Sequence, residues 1–188
     1  AQDTTYYGLD LYGKRRLAEL LRRLCRIDGI EWIRLHYAYP TAFPDDVIDV
    51  MASEPKICKY LDIPFQHISD RMLTAMKRRH TKADALALIE RLRERIPDIA
   101  LRTTLLVGYP TETEQDMQEL EQFVRDVRFD RLGVFAYSEE EGTYSARELR
   151  DDVPEEEKQR RVDRIMRLQE GISLENNLAR VGRTMRVI

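Results

Sequence analysis

Five short runs along the chain hold residue types that can bind a small polar ligand: Gln2-Asp3-Thr4, Tyr37-Ala38-Tyr39-Pro40, Pro64-Phe65-Gln66-His67, Gly108-Tyr109-Pro110-Thr111-Glu112 and Tyr137-Ser138. Amides, carboxylates, an imidazole and hydroxyls offer hydrogen bonds, and Gly108 allows a backbone to come close. Each run also has a plain structural account. Pro64 late in a strand stops pairing, His67 is a satisfied, partly buried imidazole, Gly108 makes a tight turn, and Tyr137 belongs to the core. Four of the runs directly follow apolar, β-prone segments, and Gln2-Asp3-Thr4 precedes a helix as the end of a strand would. Parallel α/β folds collect ligand groups at the carboxyl ends of their strands. The five runs are therefore expected to face one ligand pocket at a common rim.

Other chemistries find little support. The sequence has no G-x-G-x-x-G, no G-x-x-x-x-G-K-[ST], no H-E-x-x-H and no G-x-S-x-G. His36, His67 and His80 lack metal-ligand spacing. Cys25 and Cys58 lie too far apart for a metal motif, cannot build a disulfide framework, and are expected to be reduced thiols of a cytoplasmic protein. Asp3 and Asp62 could approach the rim as a carboxylate pair, but nothing singles them out. The formal charge is −3, from 31 basic and 34 acidic residues, with no one-sided basic field for nucleic acid. Lys77-Arg78-Arg79-His80 and Glu139-Glu140-Glu141 read as solvated faces.

The elements that must position these runs alternate strand and helix. Leu17, Leu20, Leu21 and Leu24 mark a helix over 14–26. Glu31 to Tyr37 reads as a strand, followed by a short helix with Val47, Ile48 and Met51. Tyr60 to Phe65 is the next strand, and Ser69 or Asp70 caps a helix with Met72, Leu73 and Met76. A helix over 82–95 presents Leu86, Ile89, Leu92 and Ile96. Ala100 to Val107 is apolar enough to be covered on both faces. Thr111 or Thr113 opens a helix with Met117, Leu120, Phe123, Val124 and Val127, and Arg131 to Tyr137 is the last strand. Pro154 precedes a long helix over 155–180 whose face is Val162, Ile165, Met166, Gln169 and Ile172. That order predicts right-handed βαβ crossovers and a parallel sheet. Half of a (β/α)8 barrel, most of a six-strand barrel and a doubly wound sheet all fit it.

Ala1-Gln2-Asp3-Thr4-Thr5-Tyr6-Tyr7-Gly8-Leu9-Asp10 resembles the segment after the second barrel strand of a known family, the radical S-adenosylmethionine methylthiotransferases. Tyr60-Leu61-Asp62-Ile63-Pro64-Phe65-Gln66-His67-Ile68-Ser69, followed by Leu73-x-x-Met76-x-Arg78, is similar to its fourth-strand motif. Arg102-Thr103-Thr104-Leu105-Leu106-Val107-Gly108-Tyr109-Pro110-Thr111-Glu112-Thr113 is similar to the fifth. The run Leu132 to Thr143 resembles the branch that methylthiolates the β-carbon of an aspartate in small ribosomal subunit protein twelve. The sister branch acting on tRNA adenosine is the alternative, and an iron-free phosphate-binding barrel enzyme is another. Thr111 departs from the family, which has Gly there.

The resemblance implies the later portion of a radical SAM barrel, a partial TIM-like (β/α) barrel over 1–182. The first strand and its cluster-binding loop would be missing, and a truncated C-terminal β-domain would begin at 183–188. It implies S-adenosylmethionine as cofactor and two [4Fe–4S] clusters in the full-length protein, with none bound here because the cluster cysteines are absent. The fragment alone is expected to be inactive. The cofactor-binding residues it implies are Gln2, Asp3, Gln66, His67, Arg102, Gly108, Tyr137 and Ser138. Gln66 and His67 would meet ribose or methionine atoms, Arg102 the methionine carboxylate, Gly108 the adenosine, and Tyr137 and Ser138 the adenine.

Overall fold

The computed structural model describes residues 3–184, so Gln2 and residues 185–188 of the expected β-domain lie outside the described residues. It divides into two compact units, Ala1–Leu105 and Leu106–Ile188.

The first unit opens on Asp3, whose carboxylate caps a 3-10 turn at Thr4–Tyr6. It continues through α1 (Leu9–Tyr12), α2 (Leu17–Cys25), α3 (Asp45–Ser53), β1 (Tyr60–Asp62), α4 (Asp70–Ala75), α5 (Lys82–Arg95) and the start of β2 (Ala100–Val107). β1 and β2 are parallel, with Tyr60 opposite Ala100 and Asp62 opposite Arg102. The regular ladder stops at Asp62, three residues short of expectation, because Pro64 has no N–H to give. Thr103 bridges the gap: its hydroxyl donates to the Ile63 carbonyl at 2.9 Å and accepts from the Phe65 N–H at 3.3 Å. Pairing resumes where Gln66 bridges to Leu105.

The expected strand at 31–37 is an extended segment rather than a regular strand. It pairs in parallel through Ile33 and Ile57 and again where the Ala38 N–H meets the Asp62 carbonyl at 3.1 Å. Tyr37, at φ 57°, turns the chain out of the extended region in between.

Helices α2, α3 and α5 pack in succession within this unit. Leu17 and Leu21 of α2 are buried with Ala18 and Cys25, while Leu20 and Leu24 are half-buried. On α5 the buried stripe is Ala85, Leu88, Ile89 and Leu92, an i, i+3, i+4, i+7 set. Leu86, expected on that face, stands about 100° around from Ala85 and is 39% exposed. Lys59 Nζ donates to carbonyls of Met51, Ala52 and Glu54, setting a cation on the negative end of α3.

The second unit holds the end of β2, then α6 (Glu114–Val127), β3 (Arg131–Ala136), α7 (Tyr144–Glu148) and α8 (Glu155–Leu178). β2 runs on into this unit as far as Val107. Its burial alternates residue by residue, so it is not covered equally on both faces as expected. Thr113, not Thr111, caps α6, in a reciprocal pair with Asp116. Met117, Leu120, Phe123, Val124 and Val127 are all buried, as their spacing requires. The buried face of α8 is Lys158, Arg161, Ile165, Gln169 and Ile172. Val162 is only half-buried and Met166 is 44% exposed, because charged residues with carboxylate partners take the inner places.

His80 is buried in the first unit, edge-on to Tyr39 at 6.1 Å and Phe65 at 6.3 Å between ring centroids. Burial, then the Arg78 charge, push its pKa below 6.5, against the smaller pull of Asp84, a hydrogen bond to the Phe65 backbone, and Asp70. The folded state therefore binds this proton less readily than the unfolded chain does. That contribution to stability is complete above about pH 6.5 and is lost as pH falls from there through the lower folded value. Urea unfolding between pH 7.5 and pH 5 is expected to show stability declining with acidity, with the decline reduced in His80→Phe. Equal slopes for the two proteins would show that His80 does not carry the effect.

Candidate functional site

The strand ends of the first unit have an unusual backbone. Tyr37 and Gln66, neither of them glycine, sit at φ 57° and 69°. A side chain in the left-handed region costs about 1–2 kcal/mol, and such residues concentrate where function demands them. Gln66 is half-buried with its N–H on the Thr104 carbonyl at 2.9 Å, and its side-chain amide has no hydrogen-bond partner among the described residues. Arg102, on the neighbouring strand, gives Nη1 to buried Asp62 at 2.7 Å and is about one-third exposed. Its guanidinium is thus already engaged in a strand-to-strand ion pair. His67 is fully buried, and its Nδ1 accepts the Ile68 and Ser69 N–H groups at 2.9 and 3.0 Å, which shapes the entry to α4. Asp3 Oδ1 accepts from Thr5 at 2.9 Å and from Tyr39 at 3.4 Å, joining the first polar run to the second.

In the second unit three of the expected residues come together. Gly108 stands at φ 72°, and a Cβ placed there would lie 2.4 Å from Lys158 Cγ, so only glycine fits. Its N–H donates to Glu112 Oε2 at 2.7 Å. The same oxygen accepts from Arg161 Nη1 at 2.5 Å, which also reaches the Glu112 carbonyl at 3.2 Å, while Arg161 Nε binds Glu157 at 2.9 Å. Burial works against the Arg161 charge, and its hydrogen bonds to Glu112 and Glu157 more than offset that, so its pKa rises. Tyr137 pairs its N–H with the Val107 carbonyl at 2.8 Å and sets its ring edge-on to Tyr109 at 5.0 Å. Lys158 Nζ lies 5.5 Å from the centre of that ring. The Tyr137 hydroxyl is buried with no hydrogen-bond partner among the described residues. Ser138 follows directly and is exposed.

Lys158 and Arg161 were not foreseen, although a basic pair three residues apart on the inner face of a helix was a readable signal. The turn between Gly108 and Glu112 also answers the question raised by Thr111. It does adopt positive φ, 71°, with a β-branched residue, and the Thr111 N–H is held by Asp152 at 2.8 Å.

The Tyr137 phenol, without a partner among the described residues, suits a nucleoside-bearing cofactor such as S-adenosylmethionine, whereas the space beside Gly108 is filled by Lys158. An iron–sulfur cluster does not fit the described residues. No group of three or more His, Cys, Asp or Glu side chains could hold a metal ion among them, and Cys25 is a buried thiol whose pKa burial raises.

Parallel strands with intervening helices define an α/β fold of the partial-barrel type. Similarity extends to solved structures of that class, which show the fold. Coproporphyrinogen III oxidase (HemN) from Escherichia coli aligns over 86% of this chain and 36% of its own, with TM-score 0.59 and 22% identity. The S-adenosylmethionine methyltransferase TsrM from Kitasatospora setae aligns over 69% and 26%, with TM-score 0.53 and 19% identity. The Radical SAM superfamily matches residues 3–124, and the chain belongs to that superfamily. It is 55% identical over all 188 residues to the ribosomal protein uS12 methylthiotransferase RimO of Bacteroides thetaiotaomicron, and 57% identical to that of Porphyromonas gingivalis. It spans 43% of the length of each. No helix among the described residues is long and apolar enough to cross a membrane.

The turn geometry sets two opposite expectations for stability. Thr111→Gly relieves a β-branched residue at positive φ and is expected to stabilise the fold by about 1 kcal/mol. Glu112→Gln leaves Arg161 buried with less compensation and is expected to cost about 3 kcal/mol. Urea midpoints measure both, and a destabilising Thr111→Gly would contradict the strain described here.

Proposed function

We propose that this chain forms the later part of the S-adenosylmethionine-binding barrel of an enzyme that methylthiolates an aspartate β-carbon of ribosomal protein uS12. The observation that carries this reading is sequence identity of 55–57%, sustained over every residue of the chain, to proteins bearing that name. The substrate protein is then the partner, and the cytoplasm, where ribosomal proteins are made and assembled, is the place of work. The isolated chain is inactive on this reading, since the thiolates that two [4Fe–4S] clusters need are not among its residues.

When bound, S-adenosylmethionine supplies the radical and methyl chemistry, which belongs to the cofactor rather than the protein. The chain's own residues bind and orient. In the second unit, the Tyr137 hydroxyl gains the partner it lacks and Ser138 borders the base, while Gly108, covered by the Lys158 side chain, shapes the turn beside them. In the first unit, Gln66 offers a free side-chain amide, held in place by its paired backbone. Arg102 is a carboxylate partner only if it shares its guanidinium between Asp62 and the cofactor, which its exposed edge permits. His67 and Asp3 act behind the surface by fixing the turns on which Gln66 and Tyr39 sit.

The test uses the intact protein that contains this chain, with clusters reconstituted. Recombinant uS12 is expected to gain the mass of one methylthio group on an aspartate. A gain on tRNA adenosine instead would assign the sister activity. Gln66→Ala and Tyr137→Phe are each expected to weaken S-adenosylmethionine binding by about tenfold, the worth of one buried hydrogen bond of about 1.4 kcal/mol. Unchanged affinity in Gln66→Ala and Arg102→Gln alike would remove both residues from the site.

A further inference from the structure

We infer that the first unit carries a second ligand site, for a phosphate monoester with an apolar body, in the cavity between the loop at residues 40–42 and α5. The cavity measures about 470 Å³, within the range that holds small organic ligands. Pro40, Ala87 and Leu88 form apolar wall, and the polar groups that meet there are predominantly donors.

Two of those donors, both guanidinia, have N–H groups to spare. The Arg91 Nε–H is buried without a hydrogen-bond partner among the described residues, although its Nη1 is held 3.1 Å from Asp45. The Arg79 guanidinium is exposed and makes no ion pair or hydrogen bond among the described residues, so it is open to an anion; only its carbonyl is used, accepting the Thr41 hydroxyl at 3.2 Å. His80 is buried behind them, and as a neutral imidazole it has one N–H, which the Phe65 carbonyl takes. A buried donor left unpaired costs about 1–3 kcal/mol, which a bound acceptor recovers.

The lining also contains one carboxylate. Asp84 is turned to its own helix end, where Oδ2 accepts the Thr81 N–H and hydroxyl, each at 2.8 Å. Two guanidinia, with their planar sets of N–H donors, match the terminal oxygens of a phosphate monoester better than the two oxygens of a carboxylate. The loop on the far side is held in a costly conformation, with Ala42 at φ 50° and its carbonyl bound by Arg15 at 2.8 Å. Such strain recurs at ligand clamps.

Calorimetric titration of the chain with phenyl phosphate tests this without any radical cofactor, so its outcome is separate from that of the function proposed above. Saturable one-to-one binding is expected, about tenfold tighter than for benzoate. Arg79→Gln is expected to weaken it by about tenfold, the loss of one charge-assisted contact. Ala87→Trp, at an exposed wall position, fills the mouth and is expected to abolish binding while circular dichroism shows the fold intact. No saturable binding by the wild-type chain overturns the inference. So does equal affinity for benzoate, or binding that survives both substitutions.

Discussion

The Glu112 carboxylate is the constraint around which the second unit is organised. It is buried, it takes the Gly108 N–H, and it pairs with Arg161 from the inner face of α8. A buried ion pair gains little over apolar packing, but removing one partner is expensive because the other is stranded. The pair therefore fixes position more than it adds stability. It holds the strand-end turn in the left-handed conformation and fastens that turn to a helix. The Lys158 methylenes then close over Gly108 so tightly that no larger residue fits. Tyr137 inherits its place from the same arrangement, with Val107 on its backbone, Tyr109 against its ring and Lys158 nearby.

Within the first unit the corresponding constraint is backbone rather than charge. Tyr37 and Gln66 each end an extended run at positive φ, as Gly108 does at the end of β2 in its own unit. Three strand ends share this feature and only one has the residue for which it is cheap. Gln66 is held by pairing to Thr104 and Leu105, and Tyr37 by the Thr4 N–H on its carbonyl at 3.1 Å. Both positions are over-determined by hydrogen bonds, which is how a fold sustains local strain.

Apolar spacing located nearly every long element, since it reports which side of a helix or strand is buried. Lys82–Arg95 and Ala100–Val107 have the bounds their spacing implies, and α6 buries every residue its pattern named. Spacing misled where a polar group did the work of an apolar one. Thr103 carries the sheet past Pro64 with a hydroxyl, which no apolar pattern encodes. Lys158 and Arg161 displace Val162 and Met166 from the inner face of α8 because carboxylates meet them there, Asp151 on Lys158 and Glu112 on Arg161. The short α1 and α7 went unseen for want of any buried residue to give them a period. Among the site residues, neighbours were legible and partners were not: Gly108 was marked as a turn, but the Lys158 side chain that makes glycine obligatory is fifty residues away.

The occupied and unoccupied donors of the rim residues follow from this difference. Asp3, His67 and Arg102 spend their polar atoms on Thr5, on Ile68 and Ser69, and on Asp62. Their chemistry is consumed in shaping loops, so their influence on a ligand passes through what they hold. The Gln66 amide and the Tyr137 hydroxyl make no such bonds among the described residues, though both residues are anchored through their backbones. An anchored backbone with an uncommitted polar side chain is the condition for binding at low entropic cost, because the group is already placed and gives up no internal partner when the ligand arrives. By that criterion, Gln66 and Tyr137 each keep an uncommitted polar group on an anchored backbone within their own unit.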